Sequence, residues 1–190
     1  TDHAFVAAGT GTNYWVWSGA TDTTVWTQHG SEHAIAFTTD GDKMWILSRR
    51  TGGSNNGYIL RNFWDGGTAP TIGGDFVVSE LANPALDMAM FDDRLFIGTE
   101  RGLFSPSVIS MEGLEFKVEN LTPAFEYQRN STNGDGLHPW WQFLITPMGM
   151  SLFRYDSDGG FKEMGLATLS DNRSEVQGVP TAIAGYRNWT

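Results

Sequence analysis

Short apolar stretches separated by turn-forming residues run along the whole chain. The stretches are rich in valine, isoleucine, phenylalanine, tryptophan and tyrosine, and they end at glycine, aspartate or asparagine. This spacing is typical of β-strands, whereas the apolar period of an amphipathic helix is nearly absent. The pattern therefore predicts an all-β fold.

The predicted strands recur in a fixed order, which indicates an internal repeat. An apolar strand that ends in a small or hydroxyl residue is followed by a second apolar strand and then by a more polar third strand. A strand rich in small residues precedes the next cycle. The first type is predicted at 6–10, 45–48, 95–99 and 143–146; the second at 14–17, 58–61, 103–104 and 152–155; the third at 24–27, 76–78, 116–118 and 161–164; and the small-residue type at 34–37, 86–90 and 182–185.

The length of the repeat points to a β-propeller. Equivalent positions at Ala7, Trp45, Phe96 and Phe143 are 38, 51 and 47 residues apart, close to one four-stranded propeller blade of about 40 to 50 residues. Small residues suit the strand nearest the propeller axis, where space is least. We therefore expect a single β-propeller domain over residues 1–190 with about four four-stranded blades, whose approximate repeats are 3–30, 33–81, 85–121 and 122–166, with 179–190 as an inner strand.

Two arrangements fit the ends of this repeat. Residues 179–190 match the inner strand of a blade, so they could complete the first blade and close the ring. Alternatively, the chain is a section of a larger propeller. The stretch 122–141 contains no convincing inner strand, and its proline, asparagine and glycine content predicts a long loop.

The C-terminal part resembles a known group of proteins. Residues 160–165, 169–178 and 181–189 are similar to propeller-like segments of virion structural and minor tail proteins of tailed bacteriophages. The resemblance covers residues 150–190, and its motifs are structural, so it brings no catalytic residue with it. It implies a non-enzymatic structural or adhesion component of a virus particle, located in the tail or adhesion apparatus. Its expected partners are other virion subunits or a host surface receptor.

Composition narrows the classes of partner. The formal net charge is −10, and basic residues form no run, so we expect no nucleic-acid partner. Cysteine is absent, which excludes thiol catalysis and cysteine-ligated zinc. No apolar run reaches the roughly 18 residues of a membrane-spanning helix, so we expect no membrane insertion. Outside a virion, the predicted setting is soluble or extracellular.

Chemistry-bearing residues do not form a recognisable constellation. His3, His29, His33 and His138 are predicted to lie in loops. Asp156 opens a short Asp-Ser-Asp-Gly sequence that is similar to the start of a calcium loop, but the twelfth position is Ala167 instead of glutamate, so turn formation is favoured. We therefore predict no cofactor, no metal and no catalytic residue, and hence no enzyme.

Eight tryptophans are many for a chain of 190 residues. Four lie inside apolar stretches and are predicted to pack between sheets: Trp15, Trp17, Trp26 and Trp45. Three others, together with one histidine, lie in loop-like sequence as candidates for contact with a partner or a glycan: Trp64, His138, Trp140 and Trp141. The alternative function is therefore a carbohydrate-binding or diverged glycoside-hydrolase propeller.

Overall fold

The computed structural model describes residues 5–10, 13–18, 26–30, 32–41, 43–50, 57–65, 70–78, 81, 84–107, 115–122, 136–148, 151–156 and 160–163. Every regular element within these ranges is a β-strand, which confirms the all-β prediction. The chain divides into two compact units. Unit 1 contains residues 1–81 and 106–118, and unit 2 contains residues 82–105 and 119–190.

Unit 1 contains two sheets. The first is antiparallel with the order β1-β2-β3; in the second, β4-β5-β6-β7 pair antiparallel in that order, and a further strand pairs in parallel with β7. The strands are β1 (Phe5–Thr10), β2 (Asn13–Ser18), β3 (Thr27–Gly30), β4 (Glu32–Thr39), β5 (Met44–Arg50), β6 (Tyr58–Asp65) and β7 (Pro70–Val78).

The two sheets of unit 1 bury a shared apolar core. Tyr14 and Val16 of β2 pack with Met44 and Ile46 of β5, and Ala34 of β4 lies against them. Tyr14, Val16 and Ile46 have no exposed surface. Because side chains alternate along a strand, these positions form one face of each sheet.

Unit 2 also contains two antiparallel groups of strands. In one, β9 lies between β8 and β10, and in the other the order is β12-β13-β14-β15. The strands are β8 (Ala85–Phe91), β9 (Arg94–Thr99), β10 (Gly102–Ser107), β11 (Glu115–Asn120), β12 (His138–Trp140), β13 (Phe143–Met148), β14 (Ser151–Asp156) and β15 (Gly160–Glu163). The start of β11 belongs to unit 1, where Glu115 and Phe116 pair in parallel with Val77 and Val78 of β7.

The core of unit 2 is dominated by aromatic side chains. Phe96 and Leu144 are fully buried, and Tyr155 and Phe161 pack against the same cluster. The Tyr155 ring lies 5.1 Å from that of Phe96 and 5.6 Å from that of Phe161, in tilted geometries. Such pairs add about 0.5–1.5 kcal/mol each beyond the burial of apolar area. This packing joins β12–β15 to the sheet that contains β8 and β9.

Aspartates form the tight turns between strands, as the sequence predicts. Asp92 and Asp93 both have positive φ (50° and 54°) in the two-residue loop between β8 and β9, the pattern of a type I′ turn. Between β4 and β5, the Asp40 carboxylate accepts hydrogen bonds from the Lys43 amide at 2.7 Å and from Trp45 Nε1 at 2.9 Å.

Two strands differ from the sequence-based prediction. Residues 138–140 form β12 within the stretch that was expected to be a loop. β12 is an edge strand, which explains why Pro139 is tolerated there and why the usual strand signal is missing. The third strand of the first sheet spans Thr27–Gly30, and Trp26 precedes it with 44% of its surface exposed, while residues 24 and 25 of the predicted strand lie outside the described residues. The prediction that Trp26 packs between sheets is therefore wrong.

The histidine prediction is also wrong for three residues. His29 lies in β3, His33 in β4 and His138 in β12, so none of the three is in a loop. Other predictions fall outside the described residues: the loop placement of His3, the inner strand at 182–185, and the pairing of 179–190 with the start of the chain.

Candidate functional site

The most exposed aromatic group among the described residues lies at the tip of the β12–β13 hairpin. Trp140 pairs with Phe143, which leaves Trp141 and Gln142 as a two-residue loop. Trp141 is 81% exposed and Trp140 is 38% exposed. A buried tryptophan contributes one of the largest apolar areas of any side chain. An indole left in solvent is therefore available for a partner to cover.

The backbone at Trp141 has an unfavourable conformation for this residue. Its φ is +54°, and Gln142 does not share the positive φ. A positive φ at the first loop position only is the pattern of a type II′ turn, which normally has glycine there. A bulky residue in this region costs on the order of 1–3 kcal/mol, and such residues cluster at functional sites. The fold therefore holds the Trp141 indole at the tip at a cost in stability.

The structure brings three of the four predicted contact residues together. His138, Trp140 and Trp141 lie within one hairpin of unit 2. The fourth, Trp64, is in β6 of unit 1, not in a loop, and its side chain is outside the described residues. The loop expectation is likewise wrong for Trp140, which ends β12.

Strand register adds residues that sequence reasoning did not select. His138 lies opposite Ile145, Ile145 opposite Arg154, and Arg154 opposite Lys162. Paired residues share one side of a sheet, and so do residues two apart in a strand. One face of this sheet, called here the hairpin face, therefore carries His138, Trp140, Phe143, Ile145, Arg154, Asp156 and Lys162.

The hairpin face places a cation next to its aromatic groups. The Arg154 guanidinium carbon lies 4.5 Å from the centre of the Phe143 ring, which is a cation–π geometry. The opposite face of the same strands carries Leu144, Tyr155 and Phe161, which lie in the core. The alternation of apolar and charged residues in 152–156 could have indicated this face, but only strand pairing connects it to Trp140.

Unit 1 contains a group of polar residues that hydrogen-bond to one another and are buried. Arg61 Nη1 and Nη2 donate to the Glu32 carboxylate at 2.8 and 3.0 Å. Arg61 Nη1 also donates to the Tyr14 hydroxyl, and Ser48 Oγ donates to Glu32 at 3.0 Å. These four residues, called here the buried network, connect β2 with β4, β5 and β6. No sequence motif marks them, because their partners are distant along the chain.

Burial determines what the buried network can do. Tyr14 and Ser48 have no exposed surface, and Arg61 and Glu32 are 5% and 8% exposed. Burial is the main cause that raises the pKa of the Tyr14 phenol far above 10.0; the Arg61 charge opposes this rise and the Glu32 charge adds to it. A neutral phenol and a paired carboxylate without solvent access do not form a site for a substrate. The buried network instead holds the two sheets of unit 1 together.

Histidine chemistry is limited in the described part of the chain. The His29 ring stacks on Tyr14 at 4.9 Å with an interplanar angle of 20°. Among the described residues, no three histidine, aspartate or glutamate side chains form a group suited to a metal ion.

Within the described part of the chain, no helix is long and apolar enough to cross a membrane.

The described residues thus define an all-β protein of antiparallel sheets that carries an exposed aromatic hairpin in one unit and a sealed ionic network in the other. Comparison of the sequence with protein-family models finds no matching family, and comparison with curated proteins finds no match.

Proposed function

We propose that the chain is a non-enzymatic β-propeller that serves as a structural or adhesion component of a virus particle, with the β12–β13 hairpin as its contact surface. The observation that carries the contact role is the 81% exposure of Trp141 in a positive-φ turn. The virion setting rests on the resemblance of residues 150–190 to tail proteins of bacteriophages.

The order of the strands supports a propeller. Each of β4, β8 and β12 is followed by a tight turn and then by a buried strand that pairs with it, as an inner blade strand is. The first sheet has strands equivalent to β5, β6 and β7, but none of its described strands is equivalent to β4. A propeller closed by residues 179–190 would supply that strand. A section of a larger propeller would receive it from elsewhere.

The local contrast between Trp141 and other tryptophans supports a contact role. Trp45 is half-buried and its Nε1 is hydrogen-bonded to Asp40. Trp141 has neither burial nor a favourable backbone to explain its presence. A central aromatic residue that becomes fully desolvated is the usual anchor of a protein interface.

Cryo-EM of the source particle tests this proposal. We expect many symmetric copies of the chain, with residues 138–143 against a neighbouring subunit or exposed toward the host. Particles that carry Trp141→Gly should lose assembly or attachment by at least about tenfold, the scale of one interface anchor. Trp26→Ala changes another exposed tryptophan and is the matched control. Absence of the chain from purified particles would overturn the proposal.

A carbohydrate-binding propeller is the second candidate, and the same indole favours it. Exposed aromatic rings provide flat apolar surfaces for the faces of sugar rings. A diverged glycoside hydrolase would need two carboxylates across the bond, and the described residues of the hairpin face include one, Asp156. A glycan array with the native chain and with Trp140→Ala and Trp141→Ala tests it. Absence of binding at millimolar sugar would exclude this function.

A further inference from the structure

Two arginines of unit 2 lie over aromatic rings, but only one of them forms an ion pair with a described carboxylate. Arg94 lies 5.7 Å from the Phe96 ring centre and forms a 2.8 Å ion pair with Glu119. Arg154 lies 4.5 Å from the Phe143 ring centre, and within the described ranges no carboxylate forms an ion pair with it. The Phe143 ring holds the guanidinium of the half-buried Arg154 in place through its face.

The charge of the hairpin face is opposite to that of the chain as a whole. Among its described residues the face carries Arg154 and Lys162 against one carboxylate, Asp156, whereas the complete chain has 22 acidic and 12 basic residues. Lys162 Nζ is 3.9 Å from Asp156 Oδ2, at the outer limit of an ion pair, and its side chain is 52% exposed. Repulsion from distant acidic residues is screened over about 8 Å at physiological salt. The local cations therefore decide which ligand charge is favoured.

Aromatic and cationic groups occur together on this face. Trp140 and Phe143 are paired across β12 and β13, and Arg154 lies on the next strand. Trp140 and Arg154 are two strands apart and offset by two residues along the strands. With about 4.8 Å between strands and about 3.4 Å per residue, the step between them is about 12 Å. A short chain of sugar rings can contact both groups at once if one ring carries a negative charge.

We propose that the hairpin face and the adjoining loop residue Trp141 together bind a carboxylated glycan, with Trp141 and Trp140 stacking on sugar rings and Arg154 donating hydrogen bonds to the sugar carboxylate. Lys162 lies beside Arg154 on the neighbouring strand and adds a second positive charge. The planar guanidinium matches a carboxylate in a two-point hydrogen-bonded pair. This inference rests on the proposal that residues 138–143 form the contact surface, and it adds the ligand class and the residue that selects it.

Titration with matched probes tests the inference. The probes are 3′-sialyllactose with lactose as its neutral partner, and trigalacturonate with the same trisaccharide after carboxyl reduction. Binding to the full chain is measured by calorimetry and by tryptophan fluorescence. We expect the acidic member of each pair to bind at least about tenfold more tightly, since a charged hydrogen bond contributes about that factor.

Three variants separate the roles of the residues. Arg154→Met retains the length of the side chain and should reduce the affinity for each acidic probe to that for its neutral partner. Arg94→Met removes the paired arginine and should leave both affinities unchanged. Trp141→Gly should weaken all probes together.

Other results of these measurements would separate a failure of this inference from a failure of the proposed function. Equal affinity for acidic and neutral probes would overturn the inference but leave the hairpin as a sugar-binding surface. No binding of any probe, together with loss of particle attachment for Trp141→Gly, would overturn it and favour a protein partner. Tighter binding of a polyglutamate peptide than of both acidic sugars would also overturn it, because the cations would then select an acidic peptide.

Discussion

Arg61 and Glu32 form a two-point ion pair across β5, with N–O distances of 2.8 and 3.0 Å and side-chain exposures of 6% and 10%. Arg94 and Glu119 pair at the same 2.8 Å, but their side chains are 37% and 62% exposed. The two pairs have the same chemistry and the same distance. Burial is therefore the main difference between them, and it should decide how much each pair contributes to stability.

Breaking the buried pair should destabilise the chain strongly. Glu32→Gln or Arg61→Met leaves one buried charge without its partner, which typically costs about 3–5 kcal/mol. The matched variant Glu119→Gln should cost less than about 1 kcal/mol, because that pair is solvated. Urea unfolding gives both values. Equal losses for Glu32→Gln and Glu119→Gln would contradict a structural role for the buried network.

The Tyr14 phenol should make stability fall at alkaline pH. Its pKa is raised in the folded chain above the ordinary 10.0. As the pH rises above about 10, the unfolded chain loses this proton first, so the free energy of unfolding falls by up to about 1.4 kcal/mol per pH unit. The contribution is complete below pH 10 and is lost as the pH rises toward the folded value. Denaturant unfolding from pH 9 to 12 should show a shallower loss for Tyr14→Phe than for the native chain, and parallel losses would refute the assignment.

The Trp141 turn should tolerate glycine. Trp141→Gly relieves an unfavourable backbone conformation but gives the unfolded chain more freedom, so the free energy of unfolding should change by less than about 1 kcal/mol. The substitution Phe96→Ala in the same unit removes a fully buried ring and should cost about 3–5 kcal/mol. Thermal unfolding compares the two. A large loss for Trp141→Gly would mean that the indole packs against the protein and is not presented to a partner.

Two glycines with positive φ should respond differently to alanine. A Cβ on Gly102 would lie 2.1 Å from Thr122 Oγ1, the atom that accepts a hydrogen bond from the Leu103 amide. A Cβ on Gly41 would meet nothing within 4 Å. Both variants incur backbone strain of about 1–3 kcal/mol, and only Gly102→Ala should add a steric cost that displaces Thr122. Chemical denaturation should show the larger loss for Gly102→Ala, and equal losses would contradict this packing.

The strands could be predicted because each carries its own local signal. Trp45 to Ser48 and Leu95 to Thr99 combine strongly β-forming residues with flanking turns, and both lie in strands of the structure. β12 could not be predicted, because three residues with a central proline have no strand signal of their own and form a strand only by pairing with β13.

The site was only partly predictable for a related reason. Trp140 and Trp141 stand out because large aromatic residues follow a proline, and the structure exposes both. Arg154 and the Glu32–Arg61 pair depend on which strands become neighbours. Such partners are set by tertiary pairing, on which local sequence has little influence.

An experimental structure of the purified chain would show whether its sheets form the ring of blades that the proposed function needs. We expect β4, β8 and β12 to lie side by side around one axis and residues 182–185 to form a strand there. A structure in which these strands are far apart, or in which 182–185 is helical, would contradict this expectation.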